Sequence, residues 1–301
     1  MLGLPDPRRI RRALDALSAA PGRVARFKVA ARQGPKLRTR GQWLTNSSGY
    51  RVWTRVHEPD DDRVRPAAIL VPGRNKDSRV FRGHFYPVAA DEVAALGIRA
   101  ICFDPVGRGH SWGHDDFCGS EGQDSLRAVL EAAFVRRDID RERIALVSFS
   151  LGLSLCVPML TREADQRPVK FLLDWEGPAD REAILRGGAL PPAARAAIAR
   201  DPDVFWEHRE PLPWMDDLPC AYIRVQARQD HLLDEKGAAG AVALVAAATQ
   251  GRSPSTRLND NPPDVAWRKD QIESLSWAPR GAAPLNRLLL TTIRDHLTPD
   301  R

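Results

Sequence analysis

Residues 144–155, IALVSFSLGLSL, constrain this chain more than any other stretch. A β-rich apolar run ends in Ser148-Phe149-Ser150-Leu151-Gly152 and passes without a loop into a helical pattern. Such a sharp strand-to-helix turn lifts one side chain, Ser150, above the end of a sheet. The helix that follows directs its free N–H groups and positive dipole end at whatever forms there. Ser148 and Gly152, two positions before and after the serine, are small enough to let strand and helix approach closely. The pattern marks a nucleophile position, and a nucleophilic serine needs a base.

With 301 residues, 43% of them hydrophobic, the chain can build one large globular core. The longest apolar run, AVALVAAA at 241–248, falls short of the roughly 18 residues of a membrane span. The opening MLGLPDPRRIRR lacks the apolar region of a secretory signal. Cys102, Cys118, Cys156 and Cys220 lie far apart without CxxC spacing, which argues against a disulfide framework or a zinc site. A reducing cytoplasm is the expected compartment.

The net charge of +6 does not describe the body of the chain. Residues 1–40 carry eleven Lys/Arg against two Asp, and the remainder is net acidic. This argues against a nucleic-acid partner for residues 41–301. Asp6 and Pro7 make a helix start, and Ile10, Leu14 and Leu17 share one face. Residues 1–40 are therefore expected to form a basic helical extension docked on the main domain. An anionic-membrane contact and a homodimer contact are the other readings.

From residue 41 the pattern becomes β-hairpin-like, with a turn at 46–49 and an alternating strand at 50–57. Strands are expected at 66–71, 98–103, 143–147, 169–175, 220–226 and 255–258. Helices are expected at 84–96, 123–136, after Ser150 to about 162, at 235–249 and at 284–297. This alternation predicts an α/β fold, a mostly parallel, doubly wound sheet of about eight strands with an N-terminal antiparallel hairpin. Residues 176–218 break the alternation as short helices rich in Pro, Gly and Trp, where a helical lid insertion would sit.

Over residues 41–301 the order of parts resembles the α/β-hydrolase fold, most of all its prolyl-oligopeptidase and dienelactone-hydrolase-like branch. Leu70-Val71-Pro72-Gly73-Arg74 stands where that family has a strand ending in an oxyanion-hole glycine. Phe103-Asp104-Pro105-Val106-Gly107-Arg108-Gly109-His110-Ser111 is similar to its D-x-x-G-x-G-x-S loop, and Ser148–Gly152 to its nucleophile elbow. Gln226-Ala227-Arg228-Gln229-Asp230-His231 resembles the loop that carries its acid. The resemblance implies Ser150 as nucleophile, the main-chain N–H groups of Arg74 and Leu151 as the oxyanion hole, and Asp230 as the acid. It implies no cofactor and no metal.

The departure concerns the base. Where the family has its histidine, after the last strand, this chain has Asn259-Asp260-Asn261-Pro262-Pro263. His57 and His296 read as structural, while His84, His110, His114 and His208 suit the pocket surroundings. His231 is adjacent to Asp230, and adjacent residues rarely form an acid–imidazole–serine line. If His231 is the base, another carboxylate could orient it, and the resemblance implies Glu176, at a position where some members of the fold carry their acid. The alternative is that no histidine base exists. Arg74, Asn75 and Lys76 could receive an acidic substrate group or form a solvated loop. Trp206 and Trp214 are candidates for an apolar acyl pocket, Trp43 and Trp53 for hairpin packing. Two functions follow: a serine hydrolase acting on an ester, thioester or small amide, or a catalytically silent or non-hydrolytic protein binding a small molecule or partner in a lidded pocket.

Overall fold

The computed structural model describes residues 35–83, 85–162, 168–231 and 236–298, which belong to the second of two compact units, Pro35–Arg301. The first 34 residues of the expected basic extension, and His84, lie outside the described residues. Strands β1 (Leu37–Thr45) and β2 (Arg51–Pro59) form the leading hairpin. The Asn46 side chain holds its turn by accepting from Tyr50 N–H at 2.7 Å. β1 begins at Leu37 rather than 41 because Arg38 crosses the hairpin to Glu58 at 2.9 Å.

The remaining strands are β3 (Arg65–Val71), β4 (Arg99–Phe103), β5 (Ile139–Phe149), β6 (Phe171–Trp175), β7 (Ala221–Val225) and β8 (Thr256–Leu258). They join the hairpin in one eight-stranded sheet of order β1-β2-β4-β3-β5-β6-β7-β8. β1 and β2 are antiparallel, β2 is antiparallel to β4, and every other pair is parallel. Alternate residues of the central strands feed two cores, as a sheet covered on both faces requires. Ala67, Ile69, Ile144 and Leu146 pack with helices α2 (Ser120–Val135), α3 (Leu153–Thr161) and α7 (Lys236–Gln250). Ala68, Leu70, Ala145 and Val147 pack with α1 (Ala90–Ala95) and α8 (Ala282–Leu297). The helix expected at 84–96 is shortened to α1, since Pro87 lacks an N–H and disfavours helix before it.

The chain leaves β3 toward β4 on one side and later leaves β5 toward β6 on the other. Between β3 and β5 the winding reverses, and such a switch point opens a crevice at the carboxyl ends of the strands. Residues 176–218 connect β6 to β7 over this edge as α4 (Arg181–Arg186), α5 (Pro192–Arg200), α6 (Pro202–Glu207) and a 3-10 turn at Leu212–Asp217. Asp180 and Asp201 cap α4 and α6 through Ala183 N–H (2.8 Å) and Val204 N–H (3.1 Å).

One face of α8 is closed by Leu285, Leu289, Ile293 and Leu297, spaced one turn apart. Leu289 is fully buried. Leu289→Ala should lower unfolding stability by about 2–5 kcal/mol, read from urea denaturation. A loss within about 0.5 kcal/mol, typical of a surface substitution, would show that α8 does not close this core.

Candidate active site

Three strands end in the same way. Ser150, Glu176 and Asn259 are the first residues past β5, β6 and β8, and each has a left-handed φ, 53°, 50° and 49°. A non-glycine residue held there costs on the order of 1–3 kcal/mol and persists where its surroundings fix it. The step turns each side chain up from the sheet edge. Two close approaches shape the serine turn. A Cβ on Gly152 would lie 2.8 Å from the Val71 carbonyl, and one on Gly73 would lie 2.8 Å from the Tyr86 hydroxyl and 3.2 Å from Ser150 Cβ.

His231 comes to the serine from the loop after β7. Its Nε2 lies 3.2 Å from Ser150 Oγ, and its Nδ1 lies 2.7 Å from Glu176 Oε2. Glu176 also accepts from Ala227 N–H at 3.0 Å and His231 N–H at 3.2 Å, which fixes the carboxylate against the loop. A carboxylate only accepts, so Nδ1 carries the proton and Nε2 is left to accept from Ser150. Asp230, named from the sequence as the acid, stands on the same nitrogen at 3.3 Å. Glu176 is the closer partner. Burial works against the charged imidazole, but the Glu176 hydrogen bond and the charges of Asp230 and Glu176 outweigh it and raise the pKa above 6.5.

The imidazole lies on Trp175, ring centroids 5.0 Å apart and planes 19° from parallel. Trp175 in turn meets Phe149 edge-on at 5.9 Å. Below Asp230 runs a buried chain of polar groups: Gln226 Nε2 donates to Asp230 at 3.2 Å, Arg224 donates to Gln226 Oε1, and Arg224 also pairs with Asp174. The Tyr222 hydroxyl donates to Asp174 at 2.9 Å. Glu176, Asp230 and His231 are also the cluster whose ligand atoms, all within 4.8 Å, could hold a metal ion.

Arg74 and Leu151 line the same cavity as Ser150. The loop that carries Arg74 is pinned on both sides: Gly73 N–H donates to Tyr86 hydroxyl at 2.9 Å, and Gly73 carbonyl accepts from Arg108 at 3.1 Å. Burial pushes the Tyr86 phenol up to about 12, which keeps it neutral. Asp104 ties the next loop to it, accepting from Ser78 N–H and His110 N–H, both at 2.8 Å.

Other residues singled out from the sequence lie elsewhere. His57 bonds Asp91 at 2.7 Å, and His296 Nδ1 sits 2.9 Å from Thr292 carbonyl with its ring against Phe171. His110 is held by Asp104, His114 is exposed, and neither lines the cavity; nor does His208. Trp206 is packed in the core and Trp214 Nε1 donates to Glu207 carbonyl, so neither forms an acyl pocket in this arrangement. Trp43 and Trp53 do pack together on the hairpin at 5.0 Å. The Arg74 guanidinium is engaged by carbonyls of the insertion, Lys76 lies over Phe85, and Asn75 makes a left-handed turn at φ 52°. Asn259 pairs with the backbone of Gln226 and offers no base.

No protein-family model matches the sequence, and no curated relative is found for it. Solved structures do match. An esterase of Pyrococcus furiosus superposes with TM-score 0.59 at 13% identity, over 87% of this chain and 93% of that one. A puromycin hydrolase gives 0.63 at 14%, over 88% of this chain and 40% of its own. The 2,6-dihydroxy-pseudo-oxynicotine hydrolase gives 0.60 at 14%, over 87% and 69%. These likenesses establish the fold: the chain has the α/β-hydrolase fold.

The tightness at Gly73 yields a direct check. Gly73→Ala forces a Cβ against the Tyr86 hydroxyl and Phe149 carbonyl. It should cost about 1–3 kcal/mol by denaturant unfolding. An unchanged midpoint would mean that the loop is not seated against β5.

Proposed function

We propose that the protein is a serine hydrolase acting on an ester, thioester or small amide. One observation carries the reading: Ser150 Oγ, His231 and Glu176 form a continuous line of hydrogen bonds, 3.2 Å and 2.7 Å long. In this reading Ser150 attacks the substrate carbonyl carbon while His231 Nε2 takes its proton. The developing oxyanion is held by the main-chain N–H groups of Arg74 and Leu151. Collapse expels the leaving group, which receives the proton from Nε2, and leaves an acyl–serine ester. Water, deprotonated by the same nitrogen, then attacks the ester carbon; the acyl–Oγ bond breaks, Nε2 returns the proton to Ser150 Oγ, and the acid leaves.

Glu176 holds the imidazole tautomer and stabilises its positive charge. Asp230 adds a second negative charge at the same nitrogen, itself fixed by Gln226 at 3.2 Å. Residues 176–218 act as a lid over the crevice. The silent-binder reading rests on Asn259 in the usual histidine place, and His231 at 3.2 Å from Ser150 supports the hydrolase reading over it.

Ser150→Ala should abolish covalent labelling by a fluorophosphonate and lower ester hydrolysis at least about a hundredfold. Equal hydrolysis by the variant would overturn the reading.

The imidazole must be neutral to accept the proton, and its pKa is raised. The acid limb of kcat/KM should therefore fall above pH 6.5. Glu176→Gln removes the charge that raises it, so the limb should move to lower pH and the rate should drop by roughly 10²–10⁴. Asp230→Asn should move the limb the same way with a smaller loss of rate. A larger loss in Asp230→Asn than in Glu176→Gln would reverse the roles of the two carboxylates.

A further inference from the structure

The cavity at Ser150 measures about 20 Å³ and is closed on the insertion side by Pro178, Ala183, Ile184 and Gly187. On this measure a single water needs roughly 10–15 Å³, so the wall formed by α4 leaves little room beside Ser150 on its side, while the cavity is open on another. The closure has an identifiable fastening. The Arg74 guanidinium donates to the Ile184 carbonyl, to the Gly188 carbonyl at 3.0 Å and to the Ala189 carbonyl at 3.4 Å. It therefore sits as a cation on the exposed carbonyls where α4 ends, the favourable end of the helix dipole. The Phe117 ring supports it from behind at 5.0 Å.

Among the described residues, the hydrogen bonds from α4 and the 187–190 turn to the body of the domain are those of Arg74. The later part of the insertion is anchored independently. Arg209 donates to the carbonyls of Phe117 (3.1 Å) and Asp116 (2.6 Å), and Gln123 donates to the His208 carbonyl at 2.6 Å. Between the two parts lie Gly187 and Gly188, the latter at φ 130°, where a side chain would be strained. Arg181 at the start of α4 is tied to Glu210 of the later part through its N–H (2.8 Å) and its guanidinium (2.9 Å), so the glycine pair lets the far end of α4, at Ile184–Arg186, swing while α6 stays put.

We propose that the Arg74 side chain latches α4 over Ser150, and that the latched site accepts esters of short acyl chains. Longer chains need α4 displaced, and the Arg74 bonds oppose this. The proposal rests on the serine-hydrolase reading for its substrate class, while the latch itself does not. Arg74 thus has two roles: its main-chain N–H faces the oxyanion, and its side chain sets the room beside the acyl group. Replacing the side chain keeps the N–H.

The test uses p-nitrophenyl esters from acetate to decanoate, together with amide hydrogen exchange, on the full chain, Arg74→Ala and Arg74→Gln. The unsubstituted protein should prefer acetate to octanoate by at least tenfold in kcat/KM. In both variants the octanoate-to-acetate ratio should rise at least tenfold, and exchange at 183–189 should quicken at least tenfold. Unchanged exchange in β5 would show that the fold is kept. A ratio and an exchange rate that stay as in the unsubstituted protein would overturn the latch, as would an unsubstituted protein that already prefers octanoate. Faster exchange with no Ser150-dependent turnover of any ester would instead overturn the hydrolase reading and the chain-length restriction with it.

Discussion

The site depends on one constraint, the adjacency of parallel strands β5, β6 and β7 whose carboxyl ends share one edge of the sheet. Neighbouring strands lie about 4.8 Å apart, so side chains lifted from their ends meet without long reaches. Ser150 rises from β5 and Glu176 from β6, each through a left-handed step. His231 enters from the loop after β7 and lies back over Trp175, the last residue of β6. The imidazole thus occupies the space above the middle strand, with Ser150 on one side and Glu176 on the other. Asp230, adjacent to His231 in sequence, reaches the same Nδ1 only at 3.3 Å, and Glu176 from the end of β6 makes the shorter bond of 2.7 Å.

Placing two carboxylates beside one imidazole creates an excess of buried negative charge, which would favour protonation if nothing opposed it. Arg224, fully buried in β7, supplies the counter-charge. It pairs with Asp174 directly and reaches Asp230 through Gln226, which ties Asp230 into a buried polar chain and only partly offsets the negative charge near His231. Removing one charged member of such a chain leaves an uncompensated buried charge, costly out of proportion to the single bond lost. The network therefore fixes the β6 and β7 ends against each other, and with them the positions of Glu176 and Asp230.

Much of the architecture was legible because strand and helix periodicities differ. Six parallel strands, the hairpin and the interruption at 176–218 all show as changes of pattern, and Ser148–Gly152 marks its turn by residue size alone. The choice between Glu176 and Asp230 was not legible, since it depends on which strands become neighbours and on a few tenths of an ångström. Arg99 and Arg224 escape notice for another reason: a charged residue inside a strand reads as its solvent face, yet both are buried. Their partners, Glu58 and Asp174, stand 41 and 50 positions away. Trp206 shows the reverse error, an aromatic residue in an irregular insertion that looks like a pocket wall and packs into the core.

The asparagine after β8 shows how the usual order of parts can shift without loss of geometry. Asn259 has the same left-handed step as Ser150 and Glu176, but its amide is spent on the sheet. It accepts from Gln226 N–H at 2.9 Å and donates to the carbonyls of Gln226 and Ser276, both at 3.0 Å. An imidazole could not supply both the acceptor and the two-pronged donor that this position uses. Asn259 thus steadies the start of the very loop that carries Asp230 and His231. β8 holds in place the loop that carries His231. This division of labour lets a three-residue edge strand end without a reactive group while the site one strand inward keeps its line of hydrogen bonds.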